Sequence, residues 1–129
     1  WLKNQPYNFD SAAGIDYIVD ASKPEGKRVT IKSFSDGTPF EMNKRYTIAV
    51  NSYRGNGGGG HFTEGAGISA SKLPERLVSS TDKDLRFYIL GYLEEQQTIR
   101  PAALNNWKIV PEDWVRKAAT RDYELLFGK

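Results

Sequence analysis

Seven glycines crowd residues 54–67, and among them stands His61, the one histidine of a 129-residue chain. Such a segment suits several chemistries. A dinucleotide-binding turn needs G-x-G-x-x-G after a strand and before a helix whose N-terminus holds the pyrophosphate. Gly55, Gly57 and Gly60 satisfy the spacing, yet Thr63-Glu64-Gly65-Ala66-Gly67 stands where that helix should begin. A phosphate-cradling P-loop needs Lys and then Ser or Thr after the last glycine, to reach phosphate and magnesium, and here His61 and Phe62 follow. A Ser-His-Asp arrangement through His61 stays open, although no G-x-S-x-G elbow lifts a serine out of the fold. The plainer reading of His61 is a loop side chain bonded to backbone. One histidine, no cysteine and scattered carboxylates give no basis for a metal centre in this chain.

The aromatic residues point elsewhere. Tyr53 precedes the glycine run, where backbone without side chains leaves room for a flat ligand, and Tyr7 and Phe9 lie in a polar opening segment. Each ring taken alone is more often a core residue, since buried aromatics dominate protein interiors, but flanking a glycine loop shifts that balance towards stacking on a planar ligand. The elements that must position them follow from periodicity. Ile15, Tyr17 and Val19 alternate with polar residues, as do Val29 and Ile31, which predicts two strands separated by the Lys23-Pro24-Glu25-Gly26 turn. The Asp36-Gly37 turn leads to a third alternation at Tyr46, Ile48 and Val50, ending near Asn51. Ser80 or Thr81 is expected to cap a helix with an apolar face of Leu85, Tyr88, Ile89, Tyr92 and Leu93. Residues 107–110 form a short strand candidate. Pro111, Glu112 and Asp113 then open a terminal helix, expected to be buried through Trp114, Ala118 and Leu125. Strands first and helices mostly later predict an α+β fold, a single domain with a mixed sheet of four or so strands and two principal helices.

Composition narrows the function classes. Eighteen Lys and Arg against sixteen Asp and Glu, with the signs interspersed, provide no basic stripe for a nucleic-acid polymer. No run of eighteen apolar residues could span a membrane. The chain opens on Trp1 without an initiator Met, so it reads as a fragment from which a leader or an upstream domain is missing.

Two motifs in order carry a family resemblance. Tyr7-Asn8-Phe9-Asp10 followed by Gly14 and a strand, then Asn51-Ser52-Tyr53-Arg54-Gly55-Asn56-Gly57-Gly58, resemble the C-terminal domain of 5′-nucleotidases. The likeness is greatest to the branch with 2′,3′-cyclic-nucleotide 2′-phosphodiesterase and 3′-nucleotidase activity. The turn at residues 36–40 and Asn105-Asn106-Trp107 fit the same pattern, over about residues 6–111, and residues 111–129 look like a variable C-terminal helix. The resemblance implies that residues 1–129 are a nucleotide-recognition domain truncated at its N-terminus. It also implies a periplasmic, secreted or cell-surface parent whose N-terminal metallophosphoesterase domain holds two divalent metals and performs the hydrolysis. Phe9 and Tyr53 would stack on the base, which tolerates different bases because each has a π-face. Ser11 would face the base with one hydroxyl, and the backbone from Asn56 through Gly57 and Gly58 would line the nucleoside, with Tyr7 nearby. Gly59 stands where many family members carry a ribose-binding Asp. That departure suits substrates whose ribose hydroxyls carry phosphate, since a carboxylate there would repel it.

The expected role is therefore binding the nucleoside of a nucleotide and presenting its phosphate to a metal centre on another domain of the same chain. This chain would supply no catalytic residue, bind no cofactor and be inactive by itself. A second reading is a non-enzymatic module, for instance for carbohydrate, with Trp107 or Trp114 stacking on sugar rings. A third is a domain that covers the catalytic domain and binds no ligand.

Overall fold

In the computed structural model, residues 9–128 are described. In chain order the elements are β1 (Ile15–Asp20), β2 (Val29–Phe34), α1 (Ser52–Gly55), α2 (Leu85–Gln96), β3 (Trp107–Val110) and α3 (Glu112–Phe127). They fall into two compact units: a sheet unit of residues 9–43 and 103–128, and a loop unit of residues 44–102.

In the sheet unit the period-two pattern of Ile15, Tyr17 and Val19 makes β1 the central strand of a mixed sheet ordered β2-β1-β3. β2 pairs with it antiparallel, with a register shift between Asp16 and Tyr17, and β3 pairs with it parallel. Tyr17 lies opposite Ile31 on one side and Trp107 on the other, so the three side chains share a face. Tyr17, at 8% exposure, is the buried apolar side chain among the described residues. After β2 the Thr38 amide and hydroxyl both donate to Asp36 Oδ1, at 2.9 and 2.7 Å, and Gly37 takes φ 86° between them. Phe40 then returns to within 5.4 Å of the Phe34 ring. α3 opens with Glu112 and Asp113 in its first turn, where the helix dipole favours negative charge. Its expected burial is corrected: Trp114 and Leu125 are exposed, and Val115, Ala118 and Asp122 are only half-buried.

Two further expectations are corrected in the loop unit. Among the described residues, 45–50 form no strand and the sheet has three strands where four or so were expected. Alternation makes a segment able to be a strand without naming the backbone that would pair with it; β1 has both its edges occupied, by β2 and β3. The cap of α2 is Asp84, whose carboxylate accepts from the Phe87 amide at 2.9 Å, and not Ser80 or Thr81. Of the face proposed for α2, Leu85, Tyr88, Ile89, Tyr92 and Leu93 are all exposed, as are Phe87 and Leu90 on its other sides. Among the described residues no helix is long and apolar enough to cross a membrane.

Candidate functional site

The predicted contact residues divide between the units, Phe9 and Ser11 in the sheet unit, Tyr53, Asn56, Gly57 and Gly58 in the loop unit. Tyr7 lies outside the described residues.

Phe9 is held by side chains distant in sequence. Its ring lies 5.5 Å from that of Trp107 at a 41° tilt, and Trp107 in turn stacks on Tyr17, with centroids 6.0 Å apart and planes within 12°. The chain after Phe9 is pinned at both backbone groups of Ala12: the amide donates to the Tyr17 hydroxyl at 3.1 Å, and the carbonyl accepts from Asn106 Nδ2 at 2.7 Å. Asn106 also donates to the Ile15 carbonyl at 2.7 Å. Phe9 nevertheless remains 52% exposed, and Ser11 is exposed. A ring held on one side and open on the other suits stacking on a planar ligand.

Tyr53 is positioned by its neighbours along the chain. Asn51 caps α1, its Oδ1 accepting from the Arg54 amide at 2.9 Å. Beyond α1 the backbone enters the left-handed region at Gly57, Gly59 and Gly60, with φ between 74° and 92°, which only glycine adopts without strain. Gly58 meets a different demand: a Cβ there would sit 2.6 Å from Cε2 and Cζ of Tyr53 and from the Tyr53 carbonyl oxygen. The Tyr53 ring lies against bare backbone and is 63% exposed. Arg54 Nη1 donates to the Gly58 carbonyl at 3.2 Å, and its guanidinium lies 5.4 Å from the Tyr53 ring centre. Asn56 is exposed, whereas Gly57 and Gly58 are half-buried.

The glycine run leads into a π-helical turn at His61–Gly65, not into the N-terminus of a long helix, so a pyrophosphate seat of the dinucleotide-binding kind is not built. Among the described residues no group of three or more His, Cys, Asp or Glu is gathered as metal ligands. Two shallow hollows of about 200 and 300 Å³ in the sheet unit involve Asp16, Asn105 and Asn106, and neither is lined by Phe9 or Ser11. The carbohydrate reading loses one of its platforms, because Trp107 is half-buried with its ring engaged by Phe9 and Tyr17, while Trp114 is exposed on α3.

Three residues escaped the sequence reading: Asn106 as the clip, Trp107 as the brace of Phe9, and Arg54 beside Tyr53. The signal for Arg54 was present, since Asn51 three residues ahead of an amide is cap spacing. The pairing of β3 with β1 leaves no local trace, and Trp107 could not be assigned to Phe9 without it.

Comparison with known proteins places these contacts in context. The family model described as 5′-nucleotidase, C-terminal domain, matches residues 1–64. The trifunctional nucleotide phosphoesterase protein YfkN of Bacillus subtilis is 32% identical over 118 residues, covering 81% of this chain and 7% of its own length. The 2′,3′-cyclic-nucleotide 2′-phosphodiesterase/3′-nucleotidases of Salmonella typhimurium and Haemophilus influenzae are 28% and 26% identical over 123 residues, covering 86% of this chain. The chain spans 18% of each of those two. No solved structure matches it.

Proposed function

Since this chain belongs to the 5′-nucleotidase C-terminal domain family, we propose that it recognises the nucleoside part of a nucleotide for a metal-dependent phosphohydrolase. Phe9 and Tyr53 each offer a ring face to the base, Ser11 offers a hydroxyl, and the backbone of Asn56, Gly57 and Gly58 offers close approach to the sugar. Stacking contributes about 1–3 kcal/mol per base and accepts any base. Hydrolysis belongs to two divalent metals in an N-terminal domain of the parent enzyme, and this chain contributes positioning. The parent acts in the periplasm or at the cell exterior.

The observation that carries the reading is Tyr53, a ring 63% exposed that lies against glycine backbone. A large aromatic side chain exposed and held at a loop gains nothing from burial, and its surface suits a planar ligand. The test is a titration of the chain with AMP followed by amide chemical shifts. Without the metals, a few kcal/mol of stacking sets against the cost of association, and the dissociation constant falls on the order of millimolar. Shifts are expected at Phe9, Tyr53 and residues 55–60. Shifts confined to α3 would refute the assignment, and phosphate release by the pure chain would refute its catalytic silence.

A further inference from the structure

The surroundings of Tyr53 give a role to a residue that nucleotide binding as described does not use. We infer that Arg54 is a positioning residue: together with the bare backbone of Gly58 it holds the Tyr53 ring and sets the orientation in which that ring meets a nucleobase. The inference rests on the reading of Tyr53 as a base-stacking residue.

An exposed tyrosine ordinarily samples several rotamers, and a ligand that stacks on it must meet the entropy of selecting one. Around Tyr53 two contacts narrow that selection. The Asn51 cap fixes the Arg54 backbone at the start of α1, and the Arg54 side chain reaches forward to the Gly58 carbonyl, spanning the turn. Its guanidinium is thereby placed 5.4 Å from the Tyr53 ring centre, within cation–π range. Gly58 supplies a second constraint, because the ring and the Tyr53 carbonyl occupy the space of any Cβ there. A flexible ring end could move aside, but the carbonyl is backbone and cannot move without reshaping the turn. Arginine suits the task better than lysine: its flat, permanently charged fork can bond a carbonyl and lie by a ring at once, whereas an ammonium is a compact point charge.

The test is a double-mutant cycle in the intact enzyme, with 2′,3′-cyclic AMP as the probe and KM and kcat measured separately. Arg54→Ala is expected to raise KM about threefold, the size of an exposed cation–π contact, and to leave kcat unchanged. Arg54→Lys should fall between Arg54→Ala and the parent. In a Tyr53→Ala background Arg54→Ala should add nothing, because the ring through which it acts is gone. Gly58→Ala should raise KM at least as much, and should that variant not fold, the Arg54 and Tyr53 variants decide the matter. Equal increases in KM from Arg54→Ala in both backgrounds would mean direct contact with the nucleotide and would overturn the inference, as would an unchanged KM. If Tyr53→Ala itself leaves KM unchanged, the base-stacking reading fails first and takes the inference with it.

Discussion

Phe9 in the sheet unit and Tyr53 in the loop unit are both exposed rings, but they are held in different ways. Phe9 rests on Trp107, which stacks on Tyr17, the most buried side chain described, so its place depends on strand pairing and on residues far away in sequence. Tyr53 is held within a stretch running from Asn51 to Gly58 by a helix cap, a guanidinium and a missing Cβ. The difference teaches where stability and recognition separate. In the sheet unit the brace of the ring stacks on the buried Tyr17, so removing it should harm the fold as well as the placing of Phe9. In the loop unit the ring packs on backbone and on one cation, so removing it should harm recognition while the fold survives.

The largest effect should come from Trp107→Ala. Aromatic truncations in cores cost about 3–5 kcal/mol, and this half-buried ring belongs near the lower end, at about 3 kcal/mol in urea unfolding of the chain. A loss below about 1 kcal/mol would show that the sheet unit does not rest on its rings, and the contrast with Tyr53 would disappear.

Tyr53→Ala sharpens the comparison from the other side. In the intact enzyme it should raise KM roughly tenfold, at 1.4 kcal/mol per decade within the stacking range. Tyr53→Phe keeps the ring and should leave KM nearly as it was. Neither variant should change the stability of the chain by more than about 0.5 kcal/mol, the usual span for surface substitutions. Thermal melting decides this: an alanine variant that loses most of its stability would make Tyr53 a ring that holds the fold together, as Trp107 is expected to be.

The smallest effect concerns the turn after β2. The Thr38 hydroxyl bond to Asp36, followed by the Thr38 amide bond, holds the Asp36 carboxyl below its ordinary value. A folded-state value below the unfolded one stabilises the fold above the ordinary carboxylate range, and that contribution is lost as pH falls through the lowered value. Carbon NMR of the carboxyl should show a midpoint below that of a short peptide, returning upward in Thr38→Ala. An unchanged midpoint in Thr38→Ala would show that the hydroxyl does not control the turn.

Local chemistry was legible where one segment contains both the pattern and its cause. β1 and β2 follow from alternation, and the Asp36-Gly37 turn from a side chain that bonds two residues on and a glycine at positive φ. The glycine loop announces itself by composition, and so does the tyrosine at its edge. The start of α2 shows where local reading fails. Ser80, Thr81 and Asp84 can all cap, and the choice goes to Asp84, whose extended backbone brings its carboxylate to the Phe87 amide.

The sequence by itself determined the α+β class, the mixture of strand and helix segments and the absence of cysteine chemistry. Tertiary structure decided which of those segments became strands. Ile15, Tyr17 and Val19 became the central strand because β2 and β3 pair with the two edges of β1, and a ladder needs partners that periodicity cannot name. Tertiary structure also decided what holds Phe9, because the parallel register of β1 and β3 brings Trp107 beside Tyr17 and fastens Asn106 to Ala12. Such contacts join segments at the two ends of the chain, and their energy depends on distances in space that spacing in sequence does not encode.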